Sequence, residues 1–138
     1  MQIRNFEPSD SDHIVEILKA NQQYGHPEMD GLEAMLRVAE CKAAEFLVAE
    51  EEGQVVGMIR GVFDGSRAII YIASVHPSQQ RRGVGRALVR AIALRFKERG
   101  AQNISVVIPG EVGFWSKLHF RQTTRIMTAY PIDSVAEM

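Results

Sequence analysis

The chain has 138 residues, 46% of them apolar and 24% charged, with 11 Gly and 5 Pro, proportions of a single globular domain (1–138) and not of a collagenous or low-complexity chain. A formal net charge of −1 excludes a general polyanion binder, so no nucleic-acid or membrane partner is expected. One cysteine, Cys41, leaves no intramolecular disulfide, and His13, His26, His76 and His119 stand too far apart in sequence for a histidine metal motif, so no metal is expected either.

The opening MQIRNFEPSDSD turns acidic where a signal peptide is apolar, and the best apolar run, AIIYIASV at 68–75, is strand-sized; a cytoplasmic location follows as the expectation. Residues 2–6 alternate apolar and polar, a short strand. EPSDSD offers N-cap residues to a helix whose stripe is Ile14, Val15, Ile17 and Leu18. After the Gly- and Pro-bearing loop NQQYGHPEMDG, residues Leu32, Met35, Leu36 and Ala39 predict a second short helix. EFLVAEE (45–51), VVGMIRGVF (55–63) and AIIYIASV then predict an antiparallel meander, with Asp64-Gly65 as the strongest turn signal.

The period changes at Val84, from which Val84, Ala87, Leu88, Ala91 and Ile92 form one helical face. Gly100 ends this helix, and ISVVI (104–108) reads as a buried strand. Strand 68–75, helix 84–99 and strand 104–108 therefore make a βαβ unit. Residues 112–118 allow two helical turns, FRQTTRIMTAY (120–130) a final strand, and DSVAEM a frayed end.

Near-neutrality hides a split. Residues 79–100 hold seven Lys/Arg against Glu98 alone, a local charge of +6, whereas residues 1–64 hold 13 acids against 5 bases. The basic helix begins at Val75-His76-Pro77-Ser78-Gln79-Gln80-Arg81-Arg82-Gly83-Val84-Gly85-Arg86. Helix N-termini present unpaired N–H groups and partial positive charge to phosphates. Gly83 and Gly85 keep side chains off the backbone there, and Arg81, Arg82 and Arg86 add forked cationic donors. The dinucleotide fingerprint fails because Leu88 takes the third glycine position, and no Gly-Lys-Ser/Thr makes a P-loop.

Gln80-Arg81-Arg82-Gly83-Val84-Gly85, after a strand ending in Val75-His76-Pro77 and before Ala87-Leu88-Val89, resembles the Q/R-x-x-G-x-G/A signature of the GNAT superfamily of N-acetyltransferases. The resemblance covers most of the chain and is to small stand-alone bacterial members. It implies an α/β (α+β) fold: a mixed, mostly antiparallel sheet of six to seven strands flanked by about four helices, with a splayed strand pair forming an acyl-CoA cleft. It implies acetyl-CoA as co-substrate and an amine, small or peptidic, as acceptor. Pyrophosphate is expected on the backbone from Arg81 to Arg86, with Gln80, Arg81, Arg82, Gly83, Val84, Gly85 and Arg86 as cofactor-binding residues. Pantetheine is expected beside Ser74 and Val75, with the Val75 N–H stabilising the oxyanion. A homodimer is compatible with the resemblance.

The family's tyrosine acid falls at Trp115 in Phe114-Trp115-Ser116-Lys117-Leu118-His119-Phe120, and its glycine at His119. Indole donates a hydrogen bond but cannot deliver a proton at neutral pH. Trp115 therefore either hydrogen-bonds the sulfur or packs, with packing favoured for an aromatic on a short helix. A thiol of pKa about 8.5 leaves without a strong acid. No carboxylate lies on AIIYIASV, and Asp64, Glu111, His76 and His119 remain open as bases. The acceptor pocket is expected in segment 21–35, with Tyr24, His26, Glu28, Met29 and Asp30. The reading is an acetyl-CoA-dependent N-acetyltransferase of a primary amine. The alternative is a non-catalytic acyl-CoA-binding module, and a nucleic-acid binder using the arginine helix ranks third.

Overall fold

The computed structural model describes residues 1–108, 110 and 112–138. The expected three-stranded meander forms as β2 (Ala44–Glu51), β3 (Gln54–Phe63) and β4 (Ala68–Val75), and the expected first strand, β1 (Gln2–Asn5), joins it beside β2. All three neighbouring pairs are antiparallel. β5 (Ile104–Val106) joins parallel to β4, giving a five-stranded sheet in the order β1-β2-β3-β4-β5. Helices α1 (Ser11–Ala20), α2 (Pro27–Asp30) and α3 (Leu32–Glu40) precede β2. α4 (Val84–Glu98) links β4 to β5, and the single turns α5 (Gly113–Ser116) and α6 (Asp133–Ala136) follow. Among the described residues no helix is long and apolar enough to cross a membrane.

Both faces of the sheet are covered, so β2 reads as the unbroken apolar run Phe46-Leu47-Val48-Ala49, all buried. Leu47 and Ala49 meet Val84, Leu88, Val89, Ile92 and Phe96 of α4 on one face. Phe46 and Val48 meet Ile14, Ile17, Leu18 and Met35 of α1 and α3 on the other. That division follows from the two-residue period of a strand meeting the helical stripes of both layers.

β4 contains an irregularity that its β-branched sequence conceals. Its register with β3 runs from Gly57↔Val75 to Arg60↔Ile72 and resumes at Gly61↔Ile70, leaving Tyr71 as an extra residue. Ala68 and Ile70 face α4 before this bulge; Ala73 and Val75 face α4 after it, while Ile72 faces the opposite core. The bulge brings the strands so close at Gly61 that a Cβ there would collide with the Ile69 carbonyl oxygen.

Three expectations need correction. The sheet has five strands among the described residues, against the six to seven expected, because residues 121–130 lie exposed and join no strand. The Thr-rich segment has strand propensity, but propensity is realised only against a partner with an apolar face. Here Ile126 and Met127 remain 60% and 97% exposed. The expected strand 104–108 is also shorter, ending at Val106, and the expected helix 112–118 is one turn.

Candidate active site

The gap beside β4 originates where its pairing with β5 stops. Ala68, Ile69 and Ile70 pair with Ile104, Ser105 and Val106, and Val107 N–H donates to Ile70 O at 3.1 Å. Beyond that point β4 runs on to Val75 alone on this side. His76 N–H donates to Val56 O of β3. Alternate strand residues direct their backbone groups to opposite sides, so Val75 directs its N–H and C=O away from β3, into the gap.

The Val75 carbonyl confirms that direction by its partners. It accepts from Asn21 Nδ2 at 2.8 Å and from Gln80 Nε2 at 2.9 Å. Asn21 also donates to Ser74 Oγ at 2.8 Å, and Gln23 reaches Ala73 O at 3.3 Å. Asn21 is the C-cap of α1, placed there by the left-handed Gln22 that turns the chain back. Ser74 is buried with its hydroxyl turned to Asn21, and its backbone carbonyl lies toward Gly57 of β3. Gln80 lies against strand end and α1 loop together, since its amide also reaches Asn21 Oδ1 at 3.3 Å.

From Gln80 the chain enters α4 through two left-handed residues, Arg81 (φ 65°) and Gly83 (φ 83°). Such alternation cups successive N–H groups into an anion-binding concavity, and a side chain at φ 83° is disfavoured. The first helical bond is Ala87 N–H to Gly83 O at 3.0 Å, so the N–H groups of Val84, Gly85 and Arg86 precede the helical ladder. Val84's side chain is core, leaving only its backbone to the loop. Nothing lies within 4 Å of where a Gly83 Cβ would stand. At Gly85 the equivalent position is 3.0 Å from Phe114 Cζ and 3.8 Å from Val75 Cγ2, so that glycine admits the Phe114 ring.

The basic helix divides in two. Arg95 and Arg99 both pair with Glu45, which is buried, Arg95 at 3.0 Å. Arg81, Arg82, Arg86 and Arg90 form no ion pair among the described residues; Arg82 only approaches Gln79 at 3.4 Å. Two of the seven cationic side chains thus serve the fold, and the arginines around the left-handed loop stay uncommitted.

A family model described as an acetyltransferase (GNAT) domain matches residues 42–122, which include β2 to β4, the left-handed loop, α4 and α5. The chain belongs to the GNAT acetyltransferase family. An acetyltransferase of Yersinia enterocolitica is 29% identical over 134 residues, covering 92% of each chain. A Bacillus halodurans protein described as a transcriptional regulator superposes with TM-score 0.79 at 22% identity, over 94% of this chain and 98% of its own. An aminoglycoside N-acetyltransferase in complex with CoA, AAC(6')-Iy, superposes with TM-score 0.75 at 18% identity, over 93% and 92%. The two structural likenesses show a shared fold, and family membership makes this protein an acyltransferase enzyme.

In this GNAT chain Trp115 packs. It is half-buried against the α4-side core and lies edge-on to Phe114 at 5.1 Å and Phe120 at 5.4 Å. His119 is exposed with φ 73°, the left-handed conformation a glycine usually supplies after a helix. Asp64 accepts from the Ser66 and Arg67 N–H groups, which hold its carboxyl below the usual range, a poor setting for a base. His76 spends Nδ1 on the Ser78 N–H at 3.1 Å. Glu111 lies outside the described residues.

On the α3 side of the sheet a cavity of about 370 Å³ is lined by Glu28 and Met29 of α2, Ala34, Arg37 and Val38 of α3, Arg60–Val62 of β3, and Tyr71. Glu28 and Met29 come from the segment expected to hold the acceptor, but Tyr24, His26 and Asp30 do not line the cavity. Asp30 instead pairs with Arg60, whose guanidinium also donates to Met29 O at 3.0 Å. Glu28 accepts from the Tyr130 hydroxyl at 2.6 Å. Asn21, Gln23, Phe114 and Arg37 were not singled out from sequence. Of these only Asn21 carries any local signal, as a polar residue ending the α1 stripe.

Proposed function

We propose that the protein transfers an acetyl group from acetyl-CoA to a primary amine by direct attack on the thioester. The observation that carries this reading is the early end of the β4–β5 pairing, which directs the Val75 N–H into the gap beside the start of α4. The donor set fits the co-substrate. Backbone N–H groups from Arg81 to Arg86 and the uncommitted Arg81, Arg82 and Arg86 suit a pyrophosphate. The Val75 N–H, on the edge of β4 that β5 leaves uncovered, suits the amide-bearing pantetheine arm expected beside Ser74 and Val75, which hydrogen-bonds as an added strand does.

Acetyl-CoA supplies an activated acyl carbon. The Val75 N–H donates to its carbonyl oxygen as negative charge develops there, a preorganised donor of the oxyanion-hole type. Asn21 and Gln80 hold Val75 from its own carbonyl and so fix the donor's direction. The ammonium gives one proton to solvent, and the free amine nitrogen bonds to the acyl carbon. The carbon–sulfur bond breaks, and the nitrogen gives a second proton to solvent to leave a neutral amide. The sulfur departs as a thiolate that takes a proton from solvent. Phe114 stands against Gly85 at the entry of α4, with part of its ring exposed to solvent.

The test is calorimetric titration with CoA together with release of CoA from acetyl-CoA in the presence of an amine panel. Replacing Arg82 and Arg86 together by Ala is expected to weaken CoA binding about ten- to hundred-fold, the loss of one or two charge-assisted hydrogen bonds. Absence of CoA binding to the native protein overturns the proposal. A second reading, acyl-CoA binding without turnover, draws support from the packed Trp115. It predicts the same calorimetry with no amine-dependent release of CoA.

A further inference from the structure

The charges around the α2–α3 cavity say what kind of amine fits. Arg60 of the lining is paired with Asp30. Glu28, the one carboxylate of the lining, keeps its negative charge and is held through Oε1 by the Tyr130 hydroxyl and by His26 Nδ1 at 3.3 Å. Arg37 lines the same space and is the one charged group of the lining without a partner among the described residues. Its guanidinium is free to meet a ligand, and its fork favours a carboxylate or phosphate. Met29, Ala34, Val38, Val62 and Tyr71 supply an apolar bed. A polycationic acceptor would set ammonium groups against Arg37, a like-charge contact that costs affinity.

Geometry adds a length. Tyr71 in the cavity wall and Val75 at the gap are four residues apart on β4, roughly 13 Å at about 3.3 Å per residue. An acceptor lying along β4 from the cavity wall to the gap spans that distance, about the length of three to four extended residues.

We propose that the acceptor is an extended amine bearing an anionic group, such as a short peptide with a free carboxylate, and that Arg37 is the specificity-determining contact for that anion. The inference rests on the acetyltransferase reading and concerns its second substrate. The probes are the tripeptide Ala-Leu-Phe, its C-terminal amide, and kanamycin. They are compared by kcat/KM for CoA release and by the backbone amide NMR shifts of Gly61 and Val62, recorded both without CoA and with CoA added.

The peptide acid is expected to exceed its amide by about ten- to hundred-fold in kcat/KM, the worth of a hydrogen-bonded charge pair. It should also move the Gly61 and Val62 resonances. Arg37→Ala should remove that preference and Arg37→Lys restore part of it; Arg37 is exposed, so both variants should fold. Equal use of acid and amide, preference for kanamycin, an unchanged preference in Arg37→Ala, or no shift at Gly61 and Val62 with either peptide overturns the proposal. Failure of the underlying acetyltransferase reading looks different: CoA does not bind, or no amine releases CoA, while the peptide-induced shifts remain readable.

Discussion

Asn21→Ala offers the sharpest probe of how the site is held. The side chain donates at 2.8 Å to both Ser74 Oγ and Val75 O. Each bond contributes about 1 kcal/mol net, and a buried hydroxyl stripped of its donor costs a further 1–3 kcal/mol or so. Val75 O keeps Gln80, so the total is about 2–4 kcal/mol. For a domain of this size that lowers Tm by on the order of 10 °C. Activity should fall with it, because the freed Val75 peptide no longer presents its N–H in one direction; about tenfold in kcat corresponds to about 1.4 kcal/mol of transition-state stabilisation. Thermal unfolding by circular dichroism and steady-state CoA release measure the two effects separately. A variant whose Tm stays within 2 °C and whose kcat stays within twofold of native (roughly 0.5 and 0.4 kcal/mol) refutes the clamp.

Trp115→Tyr should leave turnover within about threefold of native, since position 115 packs between Phe114 and Phe120 and acid catalysis at the sulfur is worth far more, roughly 10²-fold or greater. A gain of that size in CoA release contradicts the packing role. Glu45→Ala should cost about 1–3 kcal/mol in urea unfolding, the loss of hydrogen bonds to two charged partners, discounted because Arg95 and Arg99 are each about one-third exposed. CoA affinity should not follow. Burial pushes the Asp10 carboxyl up, but the bonds from Arg4 and the Glu7 N–H outweigh it and leave the group below the usual carboxylate range. Its folded pKa is depressed, so its contribution is present above the unfolded value of about 3.9 and lost as pH falls through the folded value. Tm measured from pH 5 down to 2.5 should fall less steeply in Asp10→Asn than in the native chain.

What the sequence disclosed was what depends on local period. The alternation of 2–6, the Asp64-Gly65 turn and the stripe from Val84 to Ile92 each determine an element without help from the rest of the chain, and each formed. The signature from Gln80 to Gly85 was legible because strand, loop and helix follow one another directly. What stayed hidden depends on distant partners. Asn21 meets Ser74 across 53 positions, and nothing in NQQ foretells it. The division of the arginines required knowing that buried Glu45 stands under Arg95 and Arg99. The Thr-rich segment after Phe120 carried strand propensity, but a three-residue β5 gave it little edge to join. In AIIYIASV, apolar at nearly every position, no alternation exists whose interruption could betray an extra residue.

That extra residue has a consequence for how the family can vary. β4 is read in two phases, one before Tyr71 and one after. With Tyr71 left out, the faces of Ile70, Ile72, Ala73 and Val75 already alternate, and each keeps its partner on β3. The extra residue therefore redirects no side chain; it bends β4 and tightens its twist. Loops on either side can lengthen or shorten at small thermodynamic cost. A single gap opened at Tyr71 in an alignment of relatives would mark a protein whose β4 runs straight, with the same residues on the same faces but the strand end aimed differently at the loop before α4.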